Sequence, residues 1–112
     1  MEYRKLGNLD VSVIGLGTLR AFDVTEDADL APRRHIIDNL LIEDINFIDS
    51  AAMYGAAEKA VGLTIEGRRD SFHLATKVRV NGREAGENQI SESFANFNTD
   101  YIDLFQVHNL ID

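Results

Sequence analysis

Residues 46–77, NFIDSAAMYGAAEKAVGLTIEGRRDSFHLATK, read as a strand, a helix and a second strand. Asn46 to Asp49 and Phe72 to Lys77 are short apolar runs of the length and composition of buried strands. Between them Ala57 to Ile65 sets Ala60, Val61, Thr64 and Ile65 at helical spacing, and Gly67 is placed to stop the helix. The two strand ends, Asp49 and Lys77, lie 28 residues apart. A parallel strand needs a crossover back to the same end of its sheet, and a βαβ unit takes about 30 residues.

The same unit repeats on both sides. Val13 to Gly17 and Ile102 to Val107 are further buried-strand runs, so the carboxyl ends fall at Gly17, Asp49, Lys77 and His108, spaced by 32, 28 and 31 residues. Pro32 suits the first turn of a helix whose Ile36, Ile37, Leu40 and Leu41 share a face. Asn88 is placed to cap a third helix, with Ile90, Phe94 and Phe97 as its packing stripe, and Gly82 to Glu87 reads as a polar surface loop. Tyr3 to Leu6 and Leu9 to Ser12 flank Gly7-Asn8 as a small hairpin. The expected fold class is therefore α/β, a parallel (β/α)8 TIM-barrel type. Only about its first half is present (a leading β-hairpin, then β-α-β-α-β-α-β), because a whole barrel takes about 250 residues. Residues 1–112 are expected to form one domain, with 1–12 as the hairpin and 13–112 as the βα units.

Composition narrows the function. Eleven basic against nineteen acidic residues give a formal net charge of −8, which disfavours a nucleic-acid partner or an anionic membrane surface. No cysteine is present, so disulfides, thiolate metal sites and cysteine nucleophiles are excluded. The opening MEYRKLGNLD is not a secretory signal, and no apolar run approaches the ~18 residues of a membrane span, so a cytoplasmic setting is expected. His35, His73 and His108 lack metal-ligand spacing, and no metal site is expected. Gly15-Leu16-Gly17 is not a dinucleotide fingerprint, since Arg20 stands at the third glycine position and no helix follows directly. Arg68-Arg69 reads as a solvated pair at a helix end.

Strand parity locates the chemistry. Phe47 and Asp49 share one face, as do Ala75 and Lys77, and Leu104, Gln106 and His108; Ile48, Leu74, Phe105 and Val107 take the opposite, helix-facing side. Asp49, Lys77 and His108 thus meet at the carboxyl end of the strands, where barrel active sites are built. Tyr54 follows Asp49 by five residues, in a loop that can turn its phenol over the same rim. A phenol titrates near pH 10, too high for an efficient acid at neutrality, and a neighbouring ammonium favours its ionised form. A carboxylate holds the ammonium, and an imidazole orients a carbonyl. Such a set protonates a developing alkoxide while another group delivers hydride. Singly, each residue has an ordinary explanation: Asp49 as a loop cap, Tyr54 as packing, Lys77 and His108 as solvated ends. Their convergence favours a shared site.

These residues resemble the amino-terminal half of the aldo-keto reductases. YRKLGNLDVSVIGLGT (3–18), INFIDSAAMYG (45–55), LATKV (74–78) and TDYIDLFQVH (99–108) carry the likeness, which covers essentially the whole sequence. The resemblance implies a (β/α)8 barrel closed below by a hairpin. It also implies metal-free reduction of aldehydes or ketones with NADPH, or in some members NADH. Asp49, Tyr54, Lys77 and His108 match the family's catalytic tetrad, with Tyr54 as general acid. Gly17, Thr18 and Leu19 match the cofactor-binding loop whose backbone runs beside the nicotinamide ribose, and Asp49 also reaches that ribose. Asp44 stands where a glycine usually precedes the second strand, and AAEKAVG (56–62) replaces the usual serine-glutamate start of the second helix. The family's remaining cofactor-binding groups match no part of the chain, so only a fragment of the cofactor site is expected. Two readings follow: an NAD(P)H-dependent reductase of small-molecule carbonyls, or a catalytically inactive truncated half-barrel that self-associates as a homo-oligomer or complements a second half-barrel. A redox-sensing regulatory subunit is a third.

Overall fold

The computed structural model describes residues 1–109. A hairpin of β1 (Tyr3–Leu6) and β2 (Leu9–Ser12) pairs Tyr3 with Ser12 and Leu6 with Leu9. Then come β3 (Leu16–Gly17), α1 (Asp27–Ile42), β4 (Phe47–Asp49), α2 (Ala57–Thr64), β5 (His73–Val78), α3 (Arg83–Phe97) and β6 (Leu104–Val107), with one 3₁₀ turn at Arg69–Ser71. Strands β3-β4-β5-β6 form one parallel sheet in sequence order. This is the α/β half-barrel that the spacing of the strand ends implies.

The core lies between the sheet's outer face and the helices. Ile48, Leu74, Ile37, Leu40, Val61 and Phe97 are buried in one cluster. The alternation read from the sequence thus holds for Ile48 and Leu74, and Phe105 meets Phe94 of α3 at 6.0 Å between ring centres. Phe22, in the β3–α1 loop, is also fully buried there, although it belongs to no periodic pattern.

Several boundaries differ from the sequence reading. The first strand shrinks to Leu16–Gly17, because β3 has one neighbour only; Val13 and Ile14 are 49% and 56% exposed. Helix α1 begins at Asp27, so Pro32 lies inside it and not in its first turn. Proline there removes one backbone donor. Burial of Leu30 and the acidic first turn, Asp27 and Asp29, hold the helix start despite that loss. Helix α3 starts at Arg83, so Gly82–Glu87 is mostly helix and Asn88 is no cap. An apolar pattern is blind to a solvated turn, which here carries an Arg83–Glu87 ion pair at 2.8 Å. Arg68 and Arg69 are not a solvated pair: Arg68 pairs with Asp38, and Arg69 binds Asp103 at 3.1 Å and stacks over Tyr101 at 3.9 Å. These clamps close the amino-terminal side of the sheet, away from the strand ends. Asp44 takes φ +57°, the left-handed conformation that suits the glycine usual at this position.

Helices α2 and α3 pack at backbone distance. A Cβ built on Gly62 stands 2.8 Å from the Phe97 carbonyl oxygen, also crowding that of Asn96. Gly62→Ala gains about 1 kcal/mol of helix propensity but forces the two backbones apart, at about 1–3 kcal/mol. A lower Tm in thermal unfolding is expected; an unchanged or higher Tm means the helices separate freely.

Candidate active site

Register delivers the polar residues to one rim. Gly17 pairs with Asp49, Asp49 with Ala75 and Lys77 with Gln106, so Asp49 and Lys77 stand on successive inward levels of adjacent strands. Lys77 Nζ lies 2.9 Å from both Asp49 carboxylate oxygens and donates to the Ser50 carbonyl at 2.7 Å. All three of its donors are engaged. Its side chain is 14% exposed and that of Asp49 35%, so the pair is closed on the strand side and accessible from the barrel interior.

Tyr54 reaches over this pair from the β4–α2 loop. Lys77 Nζ sits 5.1 Å from its ring centre, within cation–π range. Lys77 therefore meets Tyr54 as a charge beside the ring, with its own hydrogen bonds directed to Asp49 and Ser50. The His108 ring stands edge-on to Tyr54, 5.7 Å between centres at 89°. Its backbone N–H donates to Val78, while its buried Nδ1 has no partner among the described residues. The structure thus brings Asp49, Tyr54, Lys77 and His108 together.

The other sequence-derived positions divide. Thr18 is fully buried, and both its N–H and its hydroxyl donate to the Asp49 carbonyl, at 3.1 and 2.9 Å. Its hydroxyl therefore anchors the β3–α1 loop and is not free for a ligand. Gly17 has open space around it, and Leu19 is exposed beside the rim. An open groove of about 530 Å³ runs along the inner face from Leu6 past Gly15 and Phe47 to Gly17 and Asp49.

Two contributors escaped the sequence reading. Gln106 donates to Asp49 Oδ1 at 3.4 Å; its parity with His108 was the available signal. Asp23 Oδ1 accepts from Ala56 N–H at 2.8 Å and pins the Tyr54 loop to the β3–α1 loop. Nothing in the sequence pattern links those segments. Among the described residues no group of three or more His, Asp or Glu side chains is placed to hold a metal, and no helix is long and apolar enough to cross a membrane.

Residues 13–111 match the model of the Aldo/keto reductase family. This chain belongs to that family. An uncharacterized oxidoreductase of Bacillus subtilis, YqkF, is 32% identical over 96% of the chain, which spans 39% of that relative's length. An aldo-keto reductase of Klebsiella pneumoniae, solved in complex with NADPH, superposes with a TM-score of 0.82 at 30% identity, over 92% of this chain and 37% of the other. The Bacillus halodurans aldo-keto reductase, in its holo form, gives 0.78 at 35%, over 96% and 40%. The chain therefore spans about two fifths of these aldo-keto reductase relatives, including the barrel's first four parallel strands.

The loop that holds Tyr54 is sterically tight. Gly55 has φ +62°, and a Cβ there would collide with the Asp23 carboxylate. Gly55→Ala is expected to destabilise by roughly 1–2 kcal/mol from the left-handed backbone alone. Urea unfolding checks it; a midpoint equal to the parent's contradicts the tight-loop account.

Proposed function

We propose that this chain carries the proton-transfer apparatus of a cytoplasmic oxidoreductase that reduces aldehydes or ketones to alcohols. Tyr54 is the general acid, giving its phenolic proton to the carbonyl oxygen as negative charge develops there. The Lys77 ammonium stabilises the charge left on the phenol. Asp49 holds that ammonium in place and offsets the cost of burying it. His108 orients the carbonyl through its imidazole. The observation that carries this reading is the chain of contacts from Asp49 to Lys77, to the Tyr54 ring, to the His108 ring.

The cofactor is NADPH, with NADH the alternative, and supplies hydride when bound; a Klebsiella pneumoniae relative in complex with NADPH supports that choice. The open space at Gly17 and the part-exposed Asp49 carboxylate fit the nicotinamide ribose end. Gly17, Leu19 and Asp49 would hold it directly, and Thr18 through its hold on the Asp49 backbone. Arg4 and Lys5, which line the groove, are paired with Glu2 and Asp10. Aldehyde-dependent oxidation of NADPH tests the proposal. Tyr54→Phe is expected to lower kcat by about 10²–10⁴-fold with NADPH binding unchanged. Equal turnover in that variant removes Tyr54 as the acid.

A second reading rests on the sheet edges. Strands β3 and β6 each have one neighbour, and Val107 on β6 is 63% exposed, as Val13 and Ile14 are beside β3. Open edges recruit strands. In this reading the 112-residue chain is an inactive half-barrel that binds a second copy or a complementary half. Light scattering is expected to show a particle heavier than the 12.5 kDa chain. A monomer at high concentration, together with turnover, excludes it.

A further inference from the structure

Glu58, in the first turn of α2, is 2% exposed and has no ion-pair partner among the described residues. A buried carboxylate needs hydrogen-bond donors in place of water. Three neutral side chains supply them. Thr76 donates to Oε2 at 2.5 Å; Ser93 and Asn96 of α3 lie 3.2 and 3.4 Å from Oε1. The close approach at Gly62, one turn along on α2, brings α3 within this reach.

The two ends of the short bond matter most. Thr76 is fully buried on the outer side of β5, immediately before Lys77. Glu58 lies four residues after Tyr54, whose carbonyl accepts from Ala57 N–H at 3.2 Å. The Glu58–Thr76 bond therefore joins the helix that continues from Tyr54 to the strand that carries Lys77. On the inner face Lys77 Nζ is tied to Asp49 and Ser50, and its backbone carbonyl accepts from Ala52 N–H at a long 3.4 Å; these hold the start of the loop, while the Glu58–Thr76 bond holds the helix that follows Tyr54. Glu58 touches neither Tyr54 nor Lys77 among the contacts described, so it acts through the backbone on either side.

We propose that Glu58 is a positioning residue: by accepting the Thr76 hydroxyl, its carboxylate sets the spacing between the Tyr54 ring and the Lys77 ammonium. The inference rests on reading Tyr54 and Lys77 as a working pair, but its test reads geometry and needs no turnover. In proton NMR of the 112-residue chain, the Tyr54 ring is expected to displace the Lys77 ε-methylene signal upfield, and a cross-peak is expected between the Tyr54 and His108 rings. Thr76→Val is expected to lose most of the Lys77 displacement and to weaken that cross-peak, whereas Thr76→Ser retains both. Thr76→Val leaves the carboxylate underpaired and is the variant most prone to unfold. The triple variant Glu58→Met/Thr76→Val/Ser93→Ala removes the short bond and the buried Ser93 hydroxyl that would lose its acceptor, leaving only the Asn96 amide to find another partner, which limits the cost to folding. It is expected to stay folded, with a Tm above that of Thr76→Val, and still lose the Lys77 displacement. A folded single or triple variant with the parent's Lys77 signal and ring cross-peak overturns the proposal and leaves Glu58 as packing. Loss of both signals in Thr76→Ser overturns it equally. Absence of carbonyl reduction with these outcomes intact would count against the catalytic reading alone.

Discussion

The Lys77 ammonium, gripped by Asp49 and the Ser50 carbonyl, is the contact on which the candidate site depends. A cation this buried is tolerable only with a partner at hydrogen-bond distance. The partner arrives because parallel strands β4 and β5 run in register, placing Asp49 one level below Lys77 on the same face. Slipping β4 by one residue would turn Asp49 toward the helices and leave Lys77 uncompensated. Correct pairing of the sheet and assembly of the charged centre are thus the same event.

Around that centre the loops are anchored from outside. Thr18 binds the Asp49 carbonyl, Asp23 binds the start of α2, and Glu58 binds β5 behind Lys77. None of the three needs to touch a reacting group. They convert a tyrosine on a loop, intrinsically free to swing, into one held between a cation and an imidazole. The opposite, amino-terminal side of the sheet is closed by Arg69, Asp103 and Tyr101, whose work is structural. Such a division between a chemical rim and a stabilising floor is the general arrangement of parallel barrels.

Half a barrel leaves this centre open. Its inner groove is open, lined by hairpin residues together with Gly15, Phe47 and Asp49. Low-dielectric surroundings strengthen the interactions of an active site. Asp49, Tyr54, Lys77 and His108 are brought together by the ends of β4, β5 and β6 and the β4–α2 loop, while a low-dielectric enclosure around them requires further covering surface.

Some of this was legible in one dimension. Strand spacing near 30 residues, parity along each strand, and the residues Asp49, Tyr54, Lys77 and His108 are local or periodic properties, and they decided the fold class and the membership of the site. What escaped was non-periodic. The solvated first turn of α3 carries no apolar stripe, and Pro32 inside α1 is tolerated because Leu30 is buried against other elements. Arg68 and Arg69 look like surface charge until Asp38 and Asp103 are folded against them. Likewise Asp23, Glu58 and Gln106 are ordinary polar letters whose partners lie 33, 18 and 57 residues away. Alternation and spacing determine which side chains face the rim, because they follow from backbone geometry. Their distances, their hydrogen bonds and the supports behind them were decided only when remote segments packed, since a pairwise contact exists in neither segment alone.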